Sequence, residues 1–186
     1  MVHPKVIDYA MTAREDFMDI FLVAHCRFVM GTPAGITDCG KLFDRPCLFV
    51  NSVFIGHCPP GKQALHVPKR LVRRTTGEPV PIDEYLGHFR DAADPVAEVF
   101  TDGGLARNDY AYVDNSPEEI LEATKEMIDM IEGRWGKDPA DQELLERYFA
   151  LFGSIPHTQA GSSARVRQPM ALSHLRRYRS WYFPEG

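Results

Sequence analysis

Along the first 52 residues the spacing of apolar positions switches back and forth between a strand period and a helix period. Lys5-Val6-Ile7-Asp8-Tyr9 is a short apolar run ending on polar positions and predicts a strand. From Asp16, the residues Phe17, Ile20, Phe21 and Ala24 recur at helical spacing. Arg27 to Met30 predicts a second strand, stopped by Gly31. After the loop Gly31-Thr32-Pro33-Ala34-Gly35 comes a helix with Ile36, Cys39 and Phe43 as its inward positions. Pro46 ends that helix, and Cys47 to Val50 is a third strand closed by Asn51 and Ser52. Nearly continuous apolar strands separated by helices predict a parallel sheet covered on both faces, hence an α/β fold.

Val53 to Thr76 loses this order. It carries Pro59-Pro60-Gly61 and the basic run Lys69-Arg70-Leu71-Val72-Arg73-Arg74, and it reads as a long loop of the functional kind. Asp83 to Phe89 predicts a short helix with Tyr85, Leu86 and Phe89 inward, and Tyr110 to Val113 another strand. Ser116-Pro117-Glu118-Glu119 is a capping box with proline at the first helical position, opening a helix that runs to Gly133. Asp138-Pro139 opens the next, which carries Leu144, Leu145, Tyr148, Phe149 and Phe152 and stops at Gly153. The chain thus divides into a domain over 1–153 and a C-terminal loop with a basic aromatic segment over 154–186.

Composition narrows the function classes. Among 186 residues, 44% are apolar and 20 are aromatic, which excludes disorder as the main state; the net charge is −5. The longest apolar cluster, Ile20 to Ala24, is too short to span a membrane, and charged residues fill the N-terminus where a signal peptide would be apolar, so a cytoplasmic location is expected. Cys26, Cys39, Cys47 and Cys58 are not at zinc-knuckle spacing and read as buried reduced thiols. Signatures of zinc proteases, serine hydrolases and calcium loops are absent, and no D-x-D triplet occurs.

The Gly31–Gly35 loop carries the most chemistry. It joins a strand end to a helix start, where free amides and the helix dipole favour an anion; Thr32 adds a hydroxyl, and two glycines allow close approach. The bland reading is a tight turn, and the sequence leaves the two open. Gly35 to Lys41 also matches G-x-x-x-x-G-K, but Leu42 stands where a phosphate loop has its Ser or Thr, and a helical reading puts Lys41 too far along to be the phosphate lysine.

Val6 to Tyr9, Asp16 to Ile20, Cys26 to Gly35, Phe43 to Pro46 and Asn51 together resemble a bacterial family of surface-carbohydrate glycosyltransferases with a GT-B-type fold. Val67-Pro68-Lys69, Asn115 to Ile120, Glu126-Met127, Leu175 to Tyr178 and Trp181 extend the likeness over nearly the whole chain. Pro33-Ala34 replaces the serine usual in the loop, and Asp44 stands where glycine is frequent. The likeness covers only the carboxyl-terminal half of family members, which implies a truncated product, a split subunit or a remnant.

The resemblance implies a Rossmann-like parallel sheet flanked by helices, a single domain of the C-terminal GT-B type. It implies sugar transfer from a nucleotide-sugar to a hydroxyl, with no metal and no cofactor. Gly31, Thr32, Pro33, Ala34 and Gly35 would hold the diphosphate, with Lys69 or Arg70 as counter-charge. Asn51 either touches the sugar or caps its strand. Asp8 either reaches the ligand face or serves a turn or cap. His57 is the one candidate base, against a default of surface histidine. Implied partners are the donor, a glycan or lipid-linked acceptor, and a separate N-terminal GT-B domain or a second copy of the chain, at the cytoplasmic face of the inner membrane.

Arg165, Arg167, Arg176, Arg177 and Arg179 face one acid, Glu185, in the C-terminal segment, yet no nucleic-acid motif accompanies them and no nucleic acid is expected. In that segment Leu175, Tyr178, Trp181 and Tyr182 read as a face docking on the missing half, or as local packing. Two rival functions are a non-catalytic nucleotide-binding module and a P-loop-like NTPase that needs Mg²⁺.

Overall fold

The computed structural model of the protein describes residues 4–55, 63–153 and 168–184. The expected strand over Lys5–Tyr9 does not form. Three apolar residues with no strand beside them gain nothing from extension; Val6 and Ile7 are exposed, and Asp8 instead caps a one-turn helix α1 (Tyr9–Thr12) by accepting from the Met11 amide at 3.3 Å. The helical pattern from Asp16 holds as α2 (Asp16–His25), with two acids in its first turn and a histidine in its last.

The parallel sheet has the order β1 (Val29–Gly31), β2 (Cys47–Ser52), β3 (Ala64–Pro68). α3 (Gly35–Leu42) links β1 to β2. Alternation along the strands sends Leu48, Val50, Leu65 and Val67 to one face, against Ala123 and Met127 of α7 (Pro117–Ile131). Cys47, Phe49 and Ala64 take the other face with Val29, and α3 packs there. Gly40 lets α3 sit so close that a Cβ would stand 2.9 Å from both Cys47 Sγ and Val29 Cγ2. The sheet is covered on both sides, as the sequence predicts. The inward positions of α3 are a correction: Thr37 and Gly40 are buried, whereas Ile36 and Phe43 are exposed and Cys39 is half-buried. A helix this close to a sheet admits only small side chains beneath it.

β3 is itself a correction, because it lies in the stretch read as loop, and so does β4 (Arg70–Arg73), which pairs antiparallel with β5 (Tyr110–Val113). Both strands carry polar residues that hide the pattern. His66 is fully buried in β3 with its ring nitrogens 3.2 Å from the Pro169 and Ile55 carbonyls. Arg70 and Arg73 bracket β4 and lie over the rings of Tyr178 and Tyr110.

The main core lies beyond this ribbon. α4 (Ile82–Asp91), α5 (Pro95–Val99), α6 (Asp102–Arg107), α8 (Pro139–Gly153), α9 (Leu172–Arg177) and α10 (Arg179–Tyr182) complete the order. Leu71, Tyr85, Leu86, Tyr110, Tyr148, Phe152, Leu172, Leu175 and Tyr182 meet in one buried cluster. Leu175 and Tyr182 are therefore not an open docking face; they fill this chain's own core, and Tyr178 and Trp181 pack against it. The segment enters as a continuation of the sheet, since Ala171 donates to the His66 carbonyl at 3.0 Å.

Among the described residues Cys26, Cys39 and Cys47 are free thiols, and burial pushes Cys47 up to about 11, so it stays protonated and unreactive. Cys58 lies outside them.

Candidate functional site

In a parallel sheet all strands end at one edge, and here that edge is formed by Gly31, Ser52 and Pro68. Three of the expected site elements meet there: the Gly31–Gly35 loop after β1, Asn51 in β2 and Lys69 just past β3. The Lys69 amide donates to the Ser52 carbonyl at 2.7 Å, which ties the β3 end to the β2 end.

The loop is pinned by Thr37. Its hydroxyl accepts from the Ala34 amide at 3.0 Å and lies 2.7 and 2.8 Å from the Thr32 and Ala34 carbonyls, to one of which it donates. Its methyl fills the space above Gly31, where a Cβ would come within 2.7 Å. Gly31 is thus required by packing. Gly35 is not: a Cβ there would meet nothing within 4 Å. Thr32, Ala34 and Gly35 are exposed and Pro33 is half-buried.

The N-cap of α3 is Ala34, in extended conformation and without a side-chain acceptor. The first amides of the helix, at Gly35, Ile36 and Thr37, therefore have no cap, and the helix dipole adds to their positive potential. Asp94, Thr101 and Ser116 each accept from an amide of the helix they precede, whereas α2, α4 and α9, like α3, start without a side-chain cap; α3 differs from those in standing at the strand ends. The open start stands at the sheet edge where α/β proteins bind ligands, and it can hold an oxyanion.

The remaining expected residues divide. Lys69 is at the edge, with Nζ 2.6 Å from Asp114 Oδ1. Asn51 adopts a left-handed conformation, φ 53°, and exchanges hydrogen bonds with Asn115: the Asn115 amide donates to Asn51 Oδ1 at 2.6 Å, and the Asn51 amide to Asn115 Oδ1 at 2.7 Å. Asn115 also donates to the Pro68 carbonyl at 2.8 Å, so this pair clamps the ends of β2 and β3 to the start of α7. Asn51 is held as a strand-end clamp, one of its two expected roles. Asp8 is a helix cap at no strand end, and Arg70 is turned to Tyr178, 5.8 Å from the ring centroid. His57 lies outside the described residues.

Thr37, Asp114 and Asn115 were not among the expected site residues. Thr37 follows the loop at the third helical position, where a hydroxyl reaches back to the cap; that spacing was a usable signal. The Asn51–Asn115 contact spans the sheet, and no local pattern announces it. The G-x-x-x-x-G-K match is settled by secondary structure: Gly35 to Lys41 lies wholly within α3, and Lys41 pairs with Asp38 at 2.8 Å. Among the described residues no group of His, Cys, Asp and Glu is arranged to hold a metal ion. No helix among them is long and apolar enough to cross a membrane.

In comparisons with known proteins, no family model, no curated protein and no solved structure matches this chain.

Proposed function

We propose that the chain is the donor-binding half of a metal-independent glycosyltransferase with a GT-B-type fold. It takes a nucleotide-sugar and works with an acceptor-binding domain to transfer the sugar to a hydroxyl of a glycan or lipid-linked acceptor. The observation that carries this reading is the uncapped start of α3 at the carboxyl edge of the parallel sheet, on a loop already fixed by Thr37. The hard step in such a transfer is departure of the nucleoside diphosphate. Amides held in place before the reaction stabilise that charge without reorganising. Gly35 leaves room for phosphate oxygens to approach the backbone, and Lys69 at the same edge would serve as a counter-charge by exchanging its Asp114 partner for the diphosphate.

The test uses the helix cap itself. In Ala34→Asp the new carboxylate accepts from the open amides, which stabilises the helix start by about 1 kcal/mol and repels a phosphate. The native chain is expected to gain a few degrees in its unfolding midpoint with one of UDP, GDP, CDP or dTDP, equally with and without Mg²⁺. Ligand at about 100 times its Kd contributes ~2.7 kcal/mol. Ala34→Asp is expected to start from a higher midpoint and show no gain. A folded native chain that responds to no nucleotide, or a gain that survives Ala34→Asp, would overturn the reading.

A further inference from the structure

A second cationic cluster is formed by residues of the last three helices. Residues of α8, α9 and α10, with Phe183 just beyond, line an open cleft of about 420 Å³: Arg147, Arg176, Arg177, Arg179, Ser180 and Phe183. Four guanidinium groups share one concavity in a chain whose net charge is −5. Two are committed: Arg176 pairs with Asp141, and Arg177 with Glu122 at 2.8 Å. Among the described residues no carboxylate pairs with Arg147 or Arg179. Arg147 lies over the Phe183 ring, its Cζ 4.4 Å from the ring centroid, a contact made by the face of the guanidinium and not by its N–H donors. The stretch from Met170 to Pro184 contains no Asp or Glu, so α9 and α10 bring no compensating charge of their own.

Like charges gathered in a cleft repel one another, and the repulsion is relieved when an anion enters. Planar guanidinium forks suit the oxygens of phosphate, the Ser180 hydroxyl offers a further donor, and the size is that of a small-molecule site. We propose that this cleft binds a phosphate-bearing ligand, with Arg147 and Arg179 as its principal donors. The concave shape favours a soluble phosphorylated molecule over the headgroup of an anionic bilayer. The cleft shares no lining residue with the α3 loop, and the proposal does not rest on the function proposed there.

Inorganic pyrophosphate is the first probe, titrated calorimetrically against the Ala34→Asp chain, in which the α3 amides are closed. Sedimentation with vesicles of phosphatidylcholine, with and without phosphatidylglycerol, is the second. Pyrophosphate is expected to bind Ala34→Asp, and adding Arg147→Gln and Arg179→Gln is expected to weaken it at least about tenfold. All three positions are exposed, and near-native melting verifies that the fold is kept. Sedimentation only with phosphatidylglycerol, lost in the same arginine variant, would instead assign the phosphate to a lipid headgroup. Failure of both probes to bind, or binding that the double arginine change leaves intact, would overturn the proposal.

Discussion

The two ends of the chain use apolar residues in opposite ways. α1 and α2 bury no residue, although α2 carries Phe17, Ile20, Phe21 and Leu22. α9 is only six residues long, yet it buries Leu172, His174 and Leu175, and α10 adds Tyr182. In α2 the rings lean on one another instead, with Phe17 and Phe21 centroids 6.0 Å apart and His25 stacked on Phe21 at 4.1 Å. An amphipathic pattern is sufficient to wind a helix; what covers the apolar stripe is decided by the rest of the chain. At the C-terminal end the cover is this chain's own core. At the N-terminal end α3 packs against α2 but leaves Phe17, Ile20, Phe21 and Leu22 exposed.

The largest effect that bears on this contrast is expected at Leu175. It is fully buried in the main core, and Leu175→Ala should destabilise the protein by about 3 kcal/mol in urea unfolding, the ordinary consequence of a cavity among packed side chains. A loss below about 1 kcal/mol would mean that α9 is peripheral, and the contrast between the two ends would disappear.

A smaller effect, with its own pH signature, is expected where α9 meets α7. Glu119 at the start of α7 and His174 of α9 are both buried, with Oε1 and Nδ1 3.5 Å apart, and Tyr182 Oη lies 3.2 Å from His174 Nε2. Burial alone would push the Glu119 carboxyl up. The His174 ring, the Ser116 amide at 2.8 Å and Tyr178 outweigh it and hold the carboxyl at about 2 instead of 4.5. Its stabilisation is therefore complete above pH 4.5 and is lost as pH falls from there towards 2. Burial lowers His174 from its ordinary 6.5, so its neutral form also favours the fold, and that contribution declines as pH drops below 6.5. Glu119→Gln should remove about 2 kcal/mol at pH 7 and flatten the limb below pH 4.5. A variant that keeps the native slope there would show that another carboxylate controls acid unfolding.

The sequence exposed the elements whose residues agree with their neighbours. Ser116-Pro117-Glu118-Glu119 marked α7, and the capping box forms as expected, with Ser116 Oγ accepting from the Glu119 amide. The apolar run Cys47 to Val50 marked β2 for the same reason. β3 and β4 stayed hidden because their polar residues are satisfied by groups distant in the chain, His66 by the Pro169 carbonyl and Arg73 by Glu84 and the Asn108 carbonyl. Lys5 to Tyr9 misled in the other direction, since a strand needs a neighbour that a five-residue window cannot reveal. Of the candidate site, the β1–α3 turn was legible from its glycines and from its place between an apolar strand and a helix. The arginine cleft was visible only as basic composition, because Arg147 reaches it from α8 while the other three come from the chain end.

The smallest effect is expected at Phe17, and it is the one that most directly tests the N-terminal side of the contrast. Phe17 is 72% exposed, and its ring meets that of Phe21 one turn along the same helix. Replacing it removes little buried area, and serine is a poorer helix former than most residues by only a few tenths of a kcal/mol. Phe17→Ser should therefore change stability by about 0.5 kcal/mol or less in urea unfolding at low protein concentration. The contrast with Leu175→Ala is a matter of environment and not of residue type, since phenylalanine is the larger apolar group. Repeating the measurement over a hundredfold range of concentration sharpens it: a purely exposed ring gives the same small value throughout. A loss above about 2 kcal/mol, or one that grows with concentration, would mean that in solution α2 is covered after all, and that the two ends of the chain obey the same rule.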